Sequence, residues 1–161
     1  MAAPEPRDEQ ITAVIVATIA GIVAGEAYHY TPARIVRADF DELVNFDSFA
    51  DPLVVIRPGD MQNQPRTTRG GHQTDLEIFA TVAKRDTRLS PTAHLIDATS
   101  PTPQTVRARM TADVRKALEA WPGWGLGVSS VEVPARDSDV PIKGWCAAHL
   151  RILITYAERI T

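Results

Sequence analysis

The chain has 161 residues, a formal net charge of −3, and 44% hydrophobic against 23% charged residues, as expected of one soluble globular domain. A slightly acidic chain lacks the general attraction of a basic protein for nucleic acid or membrane surfaces. A single cysteine, Cys146, excludes an internal disulfide framework and a cysteine-based zinc site. Acids predominate in residues 1–60 and basic residues in residues 61–161, an asymmetry that suits contacts between subunits as well as solubility.

An amphipathic helix is predicted near the start of the chain, after a flexible N-terminal segment over residues 1–8. The opening residues are acidic and lack the basic leader of a signal peptide. Asp8 is predicted to cap the helix and Gly25 to end it. Its apolar run, residues 11–24, is shorter than the about 20 residues of a membrane-spanning helix, so we predict a core helix and no membrane contact. The apolar residues at helical spacing are Ile11, Val14, Ile15, Ile19, Ile22 and Val23.

Two short strands are predicted next, over residues 33–38 and 52–57, the second ending at Pro58-Gly59. Between them, the acidic segment Asp39–Asp51 contains no basic residue and interleaves its acids with apolar side chains. One interpretation is a loop with a helical turn whose aromatic residues lie at the rim of the core. The other is an acidic surface that docks a neighbouring subunit, with three candidate contact residues: Asp41, Glu42 and Asp47.

A long strand pair is predicted at the centre of the sheet. Residues 57–72 are polar and contain proline and glycine, which indicates a long β-hairpin arm or loop, with Arg66 and Arg69 as candidate contact residues. The strand Gln73–Arg85 follows, and Trp145–Arg159 is its predicted antiparallel partner. Both alternate apolar and polar residues, which predicts one buried face. The buried residues are predicted to be Leu76, Ile78, Ala80, Val82, Leu150, Ile152, Ile154 and Tyr156.

A second helix is predicted after a polar connection over residues 86–103, which includes an extended stretch over residues 93–98. Thr102 or Thr105 caps this helix, which ends near Trp121. A strand over residues 128–133 and a turn over residues 134–141 follow. The exposed side of the helix is basic, and its members are either a solvated surface or subunit contacts: Arg107, Arg109, Arg115 and Lys116.

Together these elements predict an α+β fold in a single domain over residues 1–161. Its sheet is mostly antiparallel and four- to five-stranded, and two main helices pack on it.

The sequence contains no pattern typical of catalysis, so we predict no enzyme activity, no cofactor and no metal site. The histidines are not at metal-ligand spacing, and the pair His72 and Asp75 offers two ligands at most. Gly70-Gly71 precedes a strand and not a helix, so it is no phosphate loop. Cys146 is predicted to be a buried, inert thiol, with His149 on the opposite face of its strand.

The order of the elements resembles that of the tail terminator (tail completion) proteins of long-tailed bacteriophages. The segments that carry the resemblance are the amphipathic first helix, PLVVIRPG, the arm, TDLEIFATVA, DVRKALEAW and HLRILITY. It covers nearly the whole chain and is a likeness of pattern and length. The resemblance implies small α+β subunits that form a ring, commonly of six. Such a ring caps the tail tube, stops its polymerisation and joins the tail to the head.

The resemblance also implies a location and partners. The chain is expected in the tail or neck of a virion that is assembled in the host cytoplasm. Its expected partners are copies of itself, the tail tube protein, head–tail connector or neck proteins, and DNA passing through the lumen. The alternatives are another neck or head-completion protein of a virion, a non-viral oligomeric scaffold, and a small enzyme with its site between subunits.

Overall fold

The structure is a computed structural model of an α+β domain. It describes residues 3–39, 43, 48–61, 66–68, 71–86, 101–120, 124–134 and 138–159, with side chains described except at 58–61, 66–68, 138–141 and 159. Within these residues, two helices pack on a seven-stranded mixed sheet. The predicted fold class is therefore confirmed. The elements are α1 (Arg7–Ala20), β1 (Arg34–Arg37), β2 (Leu53–Met61), β3 (Arg66–Thr68), β4 (Gly71–Arg85), α2 (Pro103–Glu119), β5 (Val128–Glu132), β6 (Ser138–Ile142) and β7 (Trp145–Arg159).

The sheet is organised around β4 and β7. Five strands lie side by side in the order β1-β2-β4-β7-β5, while β3 pairs with β4 and β6 pairs with β7. β1 is parallel to β2, and every other described pair is antiparallel. β4 and β7 pair along their whole length, and Ile78 lies directly opposite Ile152. The predicted central pair of long strands is confirmed.

The main hydrophobic core lies between the two helices and one face of the sheet, here called the inner face. From α1, Ile11, Ile15 and Ile19 are each 0% exposed, and from the sheet Ile78 and Ile152 are also 0% exposed. Burial of each such side chain stabilises the fold by about 1.5–3 kcal/mol. α2 adds Val106, Met110, Val114 and Leu118, and β7 adds Cys146, whose predicted burial is confirmed.

The helix α1 is a core helix, as predicted, but both of its ends differ from the prediction. It begins at Arg7 inside the predicted tail, and Asp8 lies in the first turn without capping, because Pro6 occupies the N-cap position. In that position the negative charge of Asp8 still interacts favourably with the positive end of the helix dipole. The helix ends at Ala20 and not near Gly25, and the N–H of its C-cap residue Gly21 donates to the carbonyl oxygen of Ala17. No helix in the described ranges has the length and hydropathy that a bilayer-spanning segment requires.

The helix α2 begins at one of its two predicted caps. Thr102 is the N-cap, and its hydroxyl accepts a hydrogen bond of 3.2 Å from the backbone N–H of Thr105. Pro103 follows in the first turn, where its missing N–H costs no helical hydrogen bond.

Two predicted limits were wrong because a bulge and an edge strand accommodate proline. β2 does not end at Pro58 but continues to Met61, with a register shift between Arg57 and Asp60. The described residues of the predicted arm, within 57–72, lie in β2, β3 and β4, and β3 pairs antiparallel with the start of β4, as the β-hairpin interpretation predicts. The predicted turn over residues 134–141 contains most of β6, which pairs only with β7 among the described strands and includes Pro141.

Candidate functional site

The face of the sheet away from the helices, here called the outer face, carries the best candidate for a functional surface. At one end it is apolar, and partly buried residues that include Leu43 and Phe49 pack on it. This apolar end consists of Leu53, Val55, Ala83, Trp145 and Ala147. Beyond it the face carries polar and charged side chains of β4 and β7.

Cross-strand hydrogen bonds join these polar side chains in pairs. Thr81 Oγ1 and His149 Nδ1 share a hydrogen bond of 2.6 Å between directly opposed residues. Thr155 Oγ1 donates to Asp75 Oδ1 at 3.0 Å, again between opposed residues. The face is therefore held in a fixed arrangement by contacts between neighbouring strands.

The strongest of these contacts joins Arg151 to Glu77. The guanidinium donates to Glu77 Oε2 from Nε at 2.8 Å and from Nη2 at 2.6 Å. Glu77 is only 5% exposed, while the side chain of Arg151 is 50% exposed. Because a buried carboxylate is costly without a partner, Arg151 serves first to balance Glu77.

An arginine stacked on an aromatic ring completes the middle of the outer face. The guanidinium carbon of Arg57 lies 4.1 Å from the ring centroid of Phe79, its opposite neighbour on β4. Cation–π stacking fixes the plane of the guanidinium. A hollow of about 210 Å³ lies beside the stack. Its lining includes Asp39, Arg57, Phe79, Thr81 and His149.

The charged side chains of the outer face lie near opposite charges. Arg57 lines the first hollow together with Asp39. A second hollow, of about 320 Å³, lies further along the face, and its lining includes Asp75, Glu132 and Arg151, the partner of Glu77.

The contact between Thr81 and His149 has the residue types of a nucleophile and its base. However, Thr81 is only 3% exposed, so its hydroxyl has little access to a substrate. We interpret the pair as a cross-strand contact. His72 and Asp75, the two possible metal ligands, lie three residues apart on β4 and point to opposite faces. No cluster of metal-ligating side chains occurs among the described residues.

The basic residues of α2 do not form one patch. Successive helical residues are rotated by about 100°, so Arg109 and Lys116 share one side of the helix, while Arg107 and Arg115 point elsewhere. Arg109 is exposed, and Arg107 is half-buried.

Two of these basic side chains bind backbone carbonyls of their own chain. Arg115 donates to the carbonyl oxygens of Val133 at 3.2 Å and Pro134 at 3.1 Å. Lys116 Nζ donates to the carbonyl oxygen of Ala27 at 2.9 Å. Their first role is to attach neighbouring loops to the helix.

The other predicted contact residues are described only in part. Arg66 lies in β3 opposite Gln73, but its side chain is not among those described. Asp41, Glu42, Asp47 and Arg69 lie outside the described residues, as do the extended stretch predicted over residues 93–98 and the predicted end of α2 at Trp121. Their role in contacts stays a prediction.

Sequence reasoning missed the buried carboxylate of Asp113 on α2, which is 4% exposed. It accepts hydrogen bonds from the backbone N–H groups of His29 and Tyr30, and it contacts His29 Nδ1 at 2.9 Å. Its position in the apolar stripe, next to Val114, was the available signal, because a buried acid requires partners.

A search of protein-family models finds no match to this chain, and a search of curated proteins finds no significant match. These two comparisons therefore do not assign the chain to a protein family.

Proposed function

We propose that this chain is a structural virion subunit that acts as a tail terminator. In this function, copies form a ring, commonly of six in the family it resembles. The ring caps the tail tube, ends its polymerisation and joins the tail to the head. The order of the elements along the sequence supports this proposal, and so does the outer face of the sheet.

The outer face is the observation that carries the proposal, because it has the composition of a protein-contact surface. Phe79 and Leu153 are half-buried there, and Arg57 and Arg151 are held by stacking and by an ion pair. Aromatic residues and arginine are enriched in protein interfaces. The cross-strand pairs already use many of the polar groups, so a partner that covers the face leaves few of them without a hydrogen bond.

A ring also requires two different patches that meet across each contact. The acidic residues Asp41, Glu42 and Asp47 are proposed as one patch. On α2, Arg109 fits the opposite patch best, since Arg115 and Lys116 bind carbonyls within the chain. Such charged patches set the register and rate of association more than its affinity.

A capping assay tests the proposal directly, with the tube protein that the proposal expects in the same genome. Purified chain added to polymerising tube protein should stop growth, and electron microscopy should show ring-shaped density at one tube end. Tubes of unchanged length without end density would contradict the proposal. Arg109→Glu should weaken capping, whereas Glu119→Ala, a second exposed position on α2, is the control and should cap normally.

Depletion in the phage tests the same function in assembly. Without this chain, tails should grow overlong and fail to join heads, and the intact gene should restore both defects. Tails of normal length on heads that leak DNA would assign the chain to the neck instead and overturn the tail-terminator proposal.

A further inference from the structure

We infer that Arg85, the last residue of β4, positions the acidic segment Asp39–Asp51 for its contact with a neighbouring subunit. Arg85 acts through the residues that connect this segment to β2, and it need not touch the neighbouring subunit itself. This role rests on the proposed function for the contact, whereas the attachment of the segment by Arg85 can be measured on the free chain.

Arg85 holds the C-terminal end of the acidic segment by its side chain and by its backbone. Its Nη2 donates a hydrogen bond of 3.1 Å to the carbonyl oxygen of Phe49, and its Nε lies 3.8 Å from Asp51 Oδ1. The backbone N–H of Arg85 also donates to Asp51 Oδ2 at 3.3 Å. Lys84 Nζ contacts the same oxygen at 3.2 Å. Both carboxylate oxygens of Asp51 therefore have a partner on β4.

An aromatic ring holds the guanidinium of Arg85 in place. Its central carbon lies 5.0 Å from the ring centroid of Trp145, the directly opposed residue on β7. Stacking fixes the plane of the guanidinium, so its N–H donors keep a set direction. Phe49 packs on the apolar end of the outer face, to which Trp145 belongs. The side chain of Phe49 and its carbonyl oxygen are therefore both anchored at this end of the sheet.

The attachment lies close in sequence to a proposed docking charge. Asp47 is two residues before Phe49, and Cα atoms two residues apart are separated by at most about 7 Å. An anchored Phe49 therefore limits the volume that is open to the charge of Asp47. A smaller volume lowers the entropy that is lost when a neighbouring subunit binds this charge. Loss of Arg85 should widen the volume and weaken the contact.

Charge and position lead to opposite expectations for the loss of this arginine. Arg85→Gln removes a positive charge beside an acidic segment, so by charge alone the segment should attract a cation such as Arg109 more strongly. By position, the same substitution releases Phe49 and Asp51 and weakens the contact. The direction of the change therefore distinguishes the two effects.

Limited proteolysis of the free chain tests the attachment. Chymotrypsin cleaves after Phe49 only when this side chain leaves the sheet and its carbonyl group is accessible. Arg85→Gln should be cleaved there at least about fivefold faster than the parent, because local opening is then easier. Cleavage after Phe79, within β4, should keep the parent's rate. The control Arg34→Gln makes the same charge change at an exposed position on β1 and should behave like the parent at both sites.

Two results of the proteolysis would overturn the inference. One is cleavage after Phe49 at the same rate in Arg85→Gln and in the parent. The other is an equal acceleration after Phe49 and after Phe79, because it would show general unfolding and no local attachment.

The capping assay tests whether the attachment serves the contact. Arg85→Gln should require at least about fivefold more chain than the parent to halve tube growth, and Arg34→Gln should match the parent. In a chain that also carries Asp47→Asn, the loss caused by Arg85→Gln should be smaller, because Arg85 acts through this acid. A merely structural role would give the same loss in both backgrounds.

The outcomes of this assay separate the role of Arg85 from the proposed function. A parent chain that does not cap tubes would contradict the proposed function, and the role of Arg85 would fall with it. If the parent caps tubes and Arg85→Gln caps them equally well or better, the role of Arg85 alone is overturned. An equal loss with and without Asp47→Asn would also overturn it and leave the proposed function standing.

Discussion

At Gly127 the backbone has a positive φ of 75°, and the chain passes close to β7. A Cβ built on this residue would clash with the carbonyl oxygen of Ala157, whose N–H donates to the carbonyl oxygen of Gly127 at 2.9 Å. Gly125 has a similar φ of 67°, but a Cβ there would meet open space. Substitutions at these two glycines therefore distinguish the cost of the backbone conformation from the cost of a steric clash.

Gly127→Ala is expected to destabilise the fold by at least about 2 kcal/mol, because the left-handed conformation costs about 1–2 kcal/mol and the clash adds to it. Gly125→Ala is the matched control and should lose only the conformational part. Urea unfolding followed by circular dichroism measures both free energies of unfolding. Equal losses at the two positions would contradict the proposed close approach to Ala157.

Tyr156 should make the free energy of unfolding depend on pH in the alkaline range. Burial raises the pKa of its phenol above the ordinary value of 10.0, and the negative charges of Glu158 and Asp8 act in the same direction. The folded state therefore holds this proton more tightly than the unfolded chain. Its contribution to stability is complete below pH 10 and is lost as the pH rises through the raised pKa.

Tyr156→Phe removes this titration together with the hydrogen bond to Thr74. The parent should be more stable than the variant by about 1 kcal/mol near neutral pH. The difference should narrow as the pH rises above about 10, because only the parent loses a proton on unfolding. Urea unfolding of both proteins across this range measures it. A difference that stays constant with pH would show that the phenol titrates alike in both states.

Among the elements, α2 does more than cover the sheet, because Asp113 attaches the loop before β1 to it. Replacement of Asp113 by Ala leaves the backbone N–H groups of His29 and Tyr30 without their acceptor. We expect a loss of about 2–4 kcal/mol in the free energy of unfolding. His29→Ala keeps both backbone bonds and should cost about 1 kcal/mol or less, since the histidine side chain is 52% exposed. Thermal unfolding compares the two variants, and equal losses would assign the effect to the imidazole.

The long elements could be predicted from the sequence because their alternation continues over many residues. β7 has the predicted limits, and β4 begins two residues before its prediction. Shorter sequence signals predicted the ends of elements wrongly. Gly21 and Gly25 both fit a helix end, and Pro58 suggested a strand end that a bulge instead absorbs.

The outer face could not be predicted as a site, because it depends on register. Thr81 and His149 are 68 residues apart in sequence, and Glu77 and Arg151 are 74 apart. In the sequence, each of these residues alone has the pattern of an ordinary polar position on a strand. Only the pairing of β4 with β7 brings these residues together.

At the scale of the whole molecule, β7 holds the sheet together. It lies between β4 on one side and β5 and β6 on the other. A chain that ends at Gly144 lacks β7 and should remain unfolded, because β4 loses its main partner and the core loses Ile152 and its neighbours.

Circular dichroism and a thermal scan test this expectation. The control is a chain that ends at Glu158, which removes only the terminal pair of Arg159 with Gly71 from the β4–β7 ladder. The control should fold with nearly the parent's melting temperature. A cooperative transition in the chain that ends at Gly144 would show that the remaining strands form a core without β7.

The cross-strand pairs of the outer face also have a consequence for how related sequences vary. Loss of Arg151 alone leaves the buried carboxylate of Glu77 without its partner, so a mutation at one position favours a compensating mutation at the other. Among descendants of a common ancestor, positions 77 and 151 should therefore change together. The weaker pair of Asp75 and Thr155 should drift more independently, because a lost hydrogen bond between half-exposed groups is replaced by water. Covariation between 77 and 151 should accordingly exceed that between 75 and 155.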